Sequence, residues 1–398
     1  MSFPQIKPAR RTEDIKYAVR DVVVLAQEVA AAGMKMCYLN IGDPNLFDFE
    51  TPPHIVEAVY EAMKANRNGY APSSGTKGAV KSITDQAGRQ GIKKVQHVFV
   101  TTGASEAIDL ALTALVNPGE NVLTPSPVYP LYTAILSKLD AVNNPYYLDE
   151  GNNWEPDIAD IESKINDKTR ALILLNPNNP TGTVYSKETL QAAIDLAIKH
   201  NLVIFSDEIY DKLLLDDMPY TSIASMTDQL PIVTFNGMSK AYLAPGFRIG
   251  WGIVSGPSEI VGEYSEAIQK LERARLSANH PEQYAIPAAL DGDHGYLEPV
   301  LARLRSRRDL TVNRLNAIEG ISCVKPQAAF YAFPRIELGV DDETFVQKLV
   351  RETGTVCVHG SGFGQRPGTQ HFRVVFLAPE DTLNRAFDHI ETVAKSYR

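Results

Sequence analysis

From about Val95 onward the chain alternates short apolar runs with longer segments whose apolar residues recur every three or four positions. The runs read as buried strands and the longer segments as helices. Strands are predicted over His97–Val100, Glu120–Leu123, Arg170–Leu175, Leu202–Phe205, Ile232–Phe235 and Ile249–Val254, with helices over Ser105–Leu115 and Leu190–His200. Such alternation predicts an α/β fold: a mostly parallel sheet with helices on both faces. Before it, the pattern predicts an amphipathic helix over Thr12–Ala32, a strand over Cys37–Ile41 and a helix over Pro53–Ala65. Beyond it comes a long exposed helix, Tyr296–Ala317, with Leu301, Leu304, Leu310 and Leu315 on its buried side. A helix near Glu343–Thr353, a strand over Phe372–Phe376 and a final helix follow. This change of texture predicts a large domain over residues 46–288 and a smaller α+β domain made from 1–45 with 289–398.

A chain of 398 residues is long enough for two domains. Its net charge of -9, with no block of Lys and Arg, argues against a nucleic-acid or anionic-membrane surface and favours a small-molecule substrate. No run approaches the roughly 18 apolar residues that span a bilayer. The first residues contain no apolar segment of the kind a secretory signal needs. Cys37, Cys323 and Cys357 are odd in number and far apart, which fits reduced thiols in a cytoplasmic protein. None stands at metal-ligand spacing, so no metal site is expected.

The chemistry-bearing residues fall just past the ends of predicted strands, where open α/β sheets bind ligands. Lys240 follows the strand that ends at Asn236-Gly237, and Arg248 lies eight positions on. A lysine amine can capture a carbonyl as a Schiff base, while an arginine fork suits phosphate or carboxylate. Gly103, Ala104 and Ser105 open a helix whose free N–H groups favour an anion; Ser105 alone would equally well be a helix cap. Ser239 and Arg248 would complete a phosphate cup. Asp207 follows four apolar residues and should be buried, where its carboxylate needs a cation or a turn to cap. If the cation on Asp207 were a protonated pyridine nitrogen, Tyr210 and Asn179 could both donate to a phenolate oxygen on that ring, although NPNNPTG is also simply a strong turn signal. Tyr129, in PSPVYPLY, is either a stacking platform or a core residue. Arg373, inside FRVVF, calls for a substrate carboxylate or a structural salt bridge.

Together these segments resemble the fold-type I, pyridoxal-phosphate-dependent class I and II aminotransferases. The segments NPNNPTG, DEIYDK, FNG-SK and GFR-GW are similar above all to those of alanine (glutamate–pyruvate) aminotransferases. The likeness runs from YAVR and NIGDP through PSPVYPLY to HFRV. It implies a ping-pong exchange of an amino group between L-alanine and 2-oxoglutarate, giving pyruvate and L-glutamate. By the resemblance, Lys240 carries pyridoxal 5'-phosphate and moves the proton, Asp207 pairs the pyridine nitrogen, and Tyr210 and Asn179 bind the 3'-oxygen. Tyr129 stacks on the ring, and Ala104, Ser105, Ser239 and Arg248 hold the phosphate. Tyr70, in GYAPSSG, matches a residue that reaches the phosphate of a neighbouring subunit, which implies a homodimer. Arg373 and Asn179 would grip the substrate α-carboxylate, with Gly42 lining that pocket.

Two positions depart from the aspartate enzymes of the superfamily. Gly237 stands where they have a phosphate-binding serine, and their arginine for a distal carboxylate has no clear match. Arg20, beside Tyr17 on the first predicted helix, is the candidate to receive glutamate's second carboxylate. An aspartate or aromatic aminotransferase of broader specificity, a β-lyase, and a non-catalytic ligand sensor remain as alternatives.

Overall fold

In the computed structural model, residues 5–13, 15 and 18–398 are described. The centre is an eight-stranded sheet. Its strands are β1 (Val95–Thr101), β2 (Asn121–Ser126), β3 (Val142–Asp149), β4 (Glu155–Pro156), β5 (Thr169–Leu175), β6 (Val203–Asp207), β7 (Ile232–Gly237) and β8 (Gly250–Ser255). They lie in the order β1-β8-β7-β6-β5-β2-β3-β4. The pairs β2-β3, β2-β5, β5-β6 and β6-β7 are parallel, whereas β8 runs against both β1 and β7, and β4 runs against β3.

The sheet is buried because β2, β6, β7 and β8 have every residue buried. Their near-continuous apolar runs are what a sheet covered on both faces requires. Two apolar clusters result. One contains Phe99, Ile108, Tyr132, Phe205 and Phe235, the other Leu123, Leu174, Ile204 and Trp251, so alternate residues of the same strands serve opposite faces.

The remaining strands are short and come from the two ends of the chain. Cys37–Tyr38 pairs in parallel with Thr355–Val356, while Phe372–Val375 is flanked by Tyr331–Ala332 and Val358–His359. Ile321–Ser322 pairs with Arg335–Ile336. The chain leaves the first of these strands at Leu39 instead of reaching Ile41 as predicted, since the paired segment is two residues long.

The first helix spans Ala18–Ala31, and a separate 3-10 turn covers Arg10–Thr12. It is therefore shorter at its start than the predicted Thr12–Ala32. The long helix is Leu297–Asn316, and it is not the exposed element the arginine-rich sequence predicts. Arg307 and Arg308 are only 4% and 2% exposed. Arg307 forms a two-pronged pair with Asp48 at 2.7 and 2.8 Å and also donates to the Leu377 carbonyl; Arg308 pairs with Asp216 at 2.8 Å. Leu304 and Leu315 are buried as predicted, and Leu301 and Leu310 are partly so.

Candidate active site

A cavity of about 260 Å³ opens at the carboxyl ends of β1, β2, β5, β6 and β7. Gly42, Ala104, Ser105, Tyr129, Asn179, Asp207, Tyr210, Ser239, Lys240, Arg248 and Arg373 all line it. Tyr70 does not; it is 82% exposed on the surface. Tyr17 lies outside the described residues, and of Arg20 only the backbone is described, within Ala18–Ala31.

Asp207 ends β6 and is buried at the edge of the cavity, with little of its carboxylate open to water. Its Oδ2 accepts from the Tyr132 hydroxyl at 2.6 Å and its Oδ1 from the Ile209 N–H at 3.2 Å. Asp207 thus also caps the turn that follows it. Burial pushes its carboxyl up to about 6, against the opposing effect of the two donors and of the Lys240 charge. Both donors are neutral, so the Lys240 amine is the positive charge acting on it among the described residues.

Lys240 stands on a turn closed by Met238 N–H to the Ile249 carbonyl at 2.9 Å and Ala244 N–H to the Met238 carbonyl at 3.1 Å. Its Nζ donates to the Gly42 carbonyl at 2.8 Å. Gly42 is required by close approach: a Cβ there would come within 2.2 Å of the Tyr331 hydroxyl. The same glycine thereby admits both the lysine and the tyrosine.

The cup expected to take an anion stands on a helix start. Gly103, at φ 78°, is the N-cap of Ala104–Leu115 and supplies no side chain to cap it. Ser105 is therefore in the first turn and not the cap, and Ala104 and Ser105, whose N–H groups have no partner within the helix, both line the cavity. The Arg248 guanidinium lies over this turn, since a Cβ on Gly103 would sit 2.4 Å from its Nη2. Arg248 is itself exposed and left-handed, with φ 52°. Ser239 adds a hydroxyl to the same wall.

On the opposite side NPNNPTG forms a tight loop. Asn178 holds it together by accepting from the Thr181 N–H and hydroxyl at 3.2 and 3.0 Å, which leaves Asn179 to face the cavity. Asn179 Nδ2 donates to the Tyr210 hydroxyl at 3.4 Å, and its Oδ1 accepts from Arg373 Nη1 at 3.1 Å. Arg373 Nη2 donates to the Asn40 carbonyl at 2.6 Å. Its guanidinium sits between the rings of Tyr331 and Phe363, at 4.7 and 4.6 Å from their centroids.

Sequence reasoning missed two residues. Tyr132, fully buried, belongs to the helix Leu131–Lys138 and touches Asp207. Its signal was the second tyrosine of PSPVYPLY, three residues after Tyr129. Tyr331 lines the cavity, and its hydroxyl lies 3.0 Å from that of Tyr210. Burial first, then this neighbour, holds the Tyr210 phenol well above its ordinary range. Nothing in AAFYAF marked Tyr331 off from core aromatics.

A lysine, a helix start with an arginine over it, a buried carboxylate and a second, buried arginine around one cavity fit a phosphorylated pyridine aldehyde. The family model for aminotransferase class I and II matches residues 35–390. The chain belongs to that family of pyridoxal-phosphate-dependent transaminases with the fold-type I architecture. Among characterised proteins it is 40% identical over 398 residues to the alanine aminotransferase of Mycobacterium tuberculosis, covering 98% of this chain and 92% of that one. It is also 40% identical to the glutamate-pyruvate aminotransferase AlaA of Haemophilus influenzae, covering 98% of each. The solved alanine aminotransferase of Pyrococcus furiosus superposes with a TM-score of 0.94 at 40% identity, covering 98% of this chain and all of that one.

Proposed function

We propose that this enzyme exchanges an amino group between L-alanine and 2-oxoglutarate, giving pyruvate and L-glutamate in two half-reactions. The observation that carries the reading is the convergence of Lys240, Asp207 and Arg373 on one cavity. The names of its relatives give the substrates.

Pyridoxal phosphate, when bound, supplies an electron sink for the bond broken at the substrate Cα. The residues of this chain do the rest. The helix start at Ala104 and Ser105, with Ser239 and Arg248, anchors the phosphate; Tyr129 covers the ring; and Tyr210 and Asn179 donate to the ring oxygen. Asp207 balances a protonated ring nitrogen, which also relieves the cost of its own burial. Lys240 would hold the cofactor at rest, and its Nζ, once freed, would carry the proton taken from Cα to the cofactor's aldehyde carbon. Arg373 and Asn179 take the α-carboxylate, orienting Cα toward that amine. Gly42 and Tyr331 line the same cavity as that arginine.

Residues 46–288 form the proposed large domain and 1–45 with 289–398 the small one. That all eight strands of the large sheet lie in the first range supports this division. The exposure of Tyr70, and of Val56, Tyr60 and Met63 on the helix Pro53–Lys64, favours a homodimer in which Tyr70 reaches the phosphate of the second copy. No described helix is long and apolar enough to cross a membrane. The three free, buried cysteines favour a reducing compartment, the cytoplasm.

The absorption spectrum of the purified protein tests the reading. Adding L-alanine without a keto acid should remove the visible band and release pyruvate; an unchanged band would overturn the donor. The Arg20 assignment predicts that Arg20→Ala lowers kcat/KM for glutamate about tenfold or more, as loss of a charged hydrogen bond does. Alanine should be almost unaffected, and equal losses would remove Arg20 from the site.

A further inference from the structure

We propose that Tyr132 is a positioning residue for the cofactor, its hydroxyl holding Asp207 as the negative partner of the ring nitrogen. This rests on the reading of the cavity as a pyridoxal-phosphate site.

Tyr132 lies three residues beyond Tyr129, in the first turn of the helix Leu131–Lys138, and sends its hydroxyl to Asp207 Oδ2 at 2.6 Å, with both side chains buried. The bond has one direction. Burial, followed by the charge of Asp207, keeps the phenol far above its ordinary range, so Tyr132 donates and Asp207 accepts. Asp207 has a second donor, the Ile209 N–H, but a backbone group is the same whatever residue occupies the position. Tyr132 is the adjustable member of the pair.

The hydroxyl is not there for packing. The Tyr132 ring belongs to the apolar cluster with Phe99, Ile108 and Phe205, which a phenylalanine would fill equally well. What the oxygen adds is one charge-assisted hydrogen bond in a site that burial makes unfavourable for an anion. One proton is shared between the Asp207 carboxyl and the ring nitrogen. A donor on the carboxylate weakens its claim to that proton, which leaves the proton, and hence the positive charge, on the ring. Without the hydroxyl the carboxyl competes better, and the ring loses charge and electrostatic hold together. Tyr132 does not line the cavity and acts through Asp207.

The test compares two cofactors on two proteins. Cofactor-free wild type and Tyr132→Phe are titrated with pyridoxal phosphate and with its carbocyclic analogue, in which C–H replaces the ring nitrogen. Tyr132→Phe should weaken pyridoxal phosphate about tenfold or more, the scale of a hydrogen bond to a charged group. The analogue should weaken by less than about threefold, because it offers Asp207 no nitrogen. Equal weakening of both, or of neither, would overturn the proposal. The ratio of the two Kd values is internal to each protein, so a general loss of stability cancels. If Tyr132→Phe fails to fold, 3-fluorotyrosine placed at position 132 keeps the ring and strengthens the donor. It should then raise the preference for pyridoxal phosphate, and an unchanged preference would overturn the proposal. Wild type that binds neither cofactor would instead overturn the reading of the cavity, and this proposal with it.

Discussion

Asp207 and Glu208 are adjacent in sequence, both buried, and both carboxyls are pushed up by burial, to about 6 and about 8. They nonetheless occupy different worlds. Asp207 faces the 260 Å³ cavity with a lysine amine across it; Glu208 faces a space of only about 10 Å³ beside Asp211 and Thr234. Glu208 Oε1 accepts from the hydroxyls of Ser206 and Ser222 at 2.8 and 2.7 Å, and a ring could not reach it. A raised carboxyl therefore does not mark chemistry by itself. What separates the two is whether a positive ligand has a path to the oxygen.

The comparison can be broken most directly by activity. Asp207→Asn should slow the half-reaction with alanine by roughly a hundredfold to a thousandfold, in line with loss of one preorganised electrostatic partner. Single-turnover absorbance measures it, and a loss below about tenfold would put Asp207 in the same structural class as Glu208.

Stability against pH sharpens the contrast. A carboxyl raised in the folded state binds its proton there at a pH where the unfolded chain has released it, so its contribution falls as pH rises. For Asp207 the window runs from about 4 to about 6, and for Glu208 from about 4.5 to about 8. In cofactor-free protein, Glu208→Gln should match wild type near pH 4.5 and gain a few degrees in Tm over it by pH 8. Pyridoxal phosphate should leave that difference in place while abolishing the corresponding one for Asp207→Asn. A pH-independent Tm difference for Glu208→Gln would show that its carboxyl is not raised.

The smallest effect is expected on turnover by Glu208→Gln. Its kcat should stay within about twofold of wild type, because two serine hydroxyls can serve an amide as they serve a neutral acid. A drop comparable to that of Asp207→Asn would erase the distinction.

The strands of the sheet were legible because burial on both faces writes itself as continuous apolar runs, and most of the cavity lining followed because it lies where those runs stop. Lys240, Asp207, Asn179 and Arg248 could each be placed by that rule. Tyr132 and Tyr331 could not, because a buried tyrosine in an apolar stretch looks the same whether its hydroxyl meets a carboxylate or a neighbouring backbone. Local sequence does not carry that difference; it arises from a contact 75 residues away for Tyr132 and 121 away for Tyr331. The burial of Arg307 and Arg308 was hidden for the same reason, their acids lying 259 and 92 residues distant. The strands Val142–Asp149 and Glu155–Pro156 at the sheet edge were missed because their exposed and half-exposed residues interrupt the apolar signal.

The long helix Leu297–Asn316 can be seen as a strut. Through Arg307 it is bolted at one point to Asp48, just after the segment that carries Asn40 and Gly42, and to Leu377, four residues beyond Arg373. Through Arg308 it is bolted at another to Asp216, nine residues beyond Asp207. The parts proposed to hold the substrate and the part proposed to hold the ring are thus braced to one stiff rod. Slack at either bolt would be felt at the cavity as lost alignment, although no residue of the rod touches it.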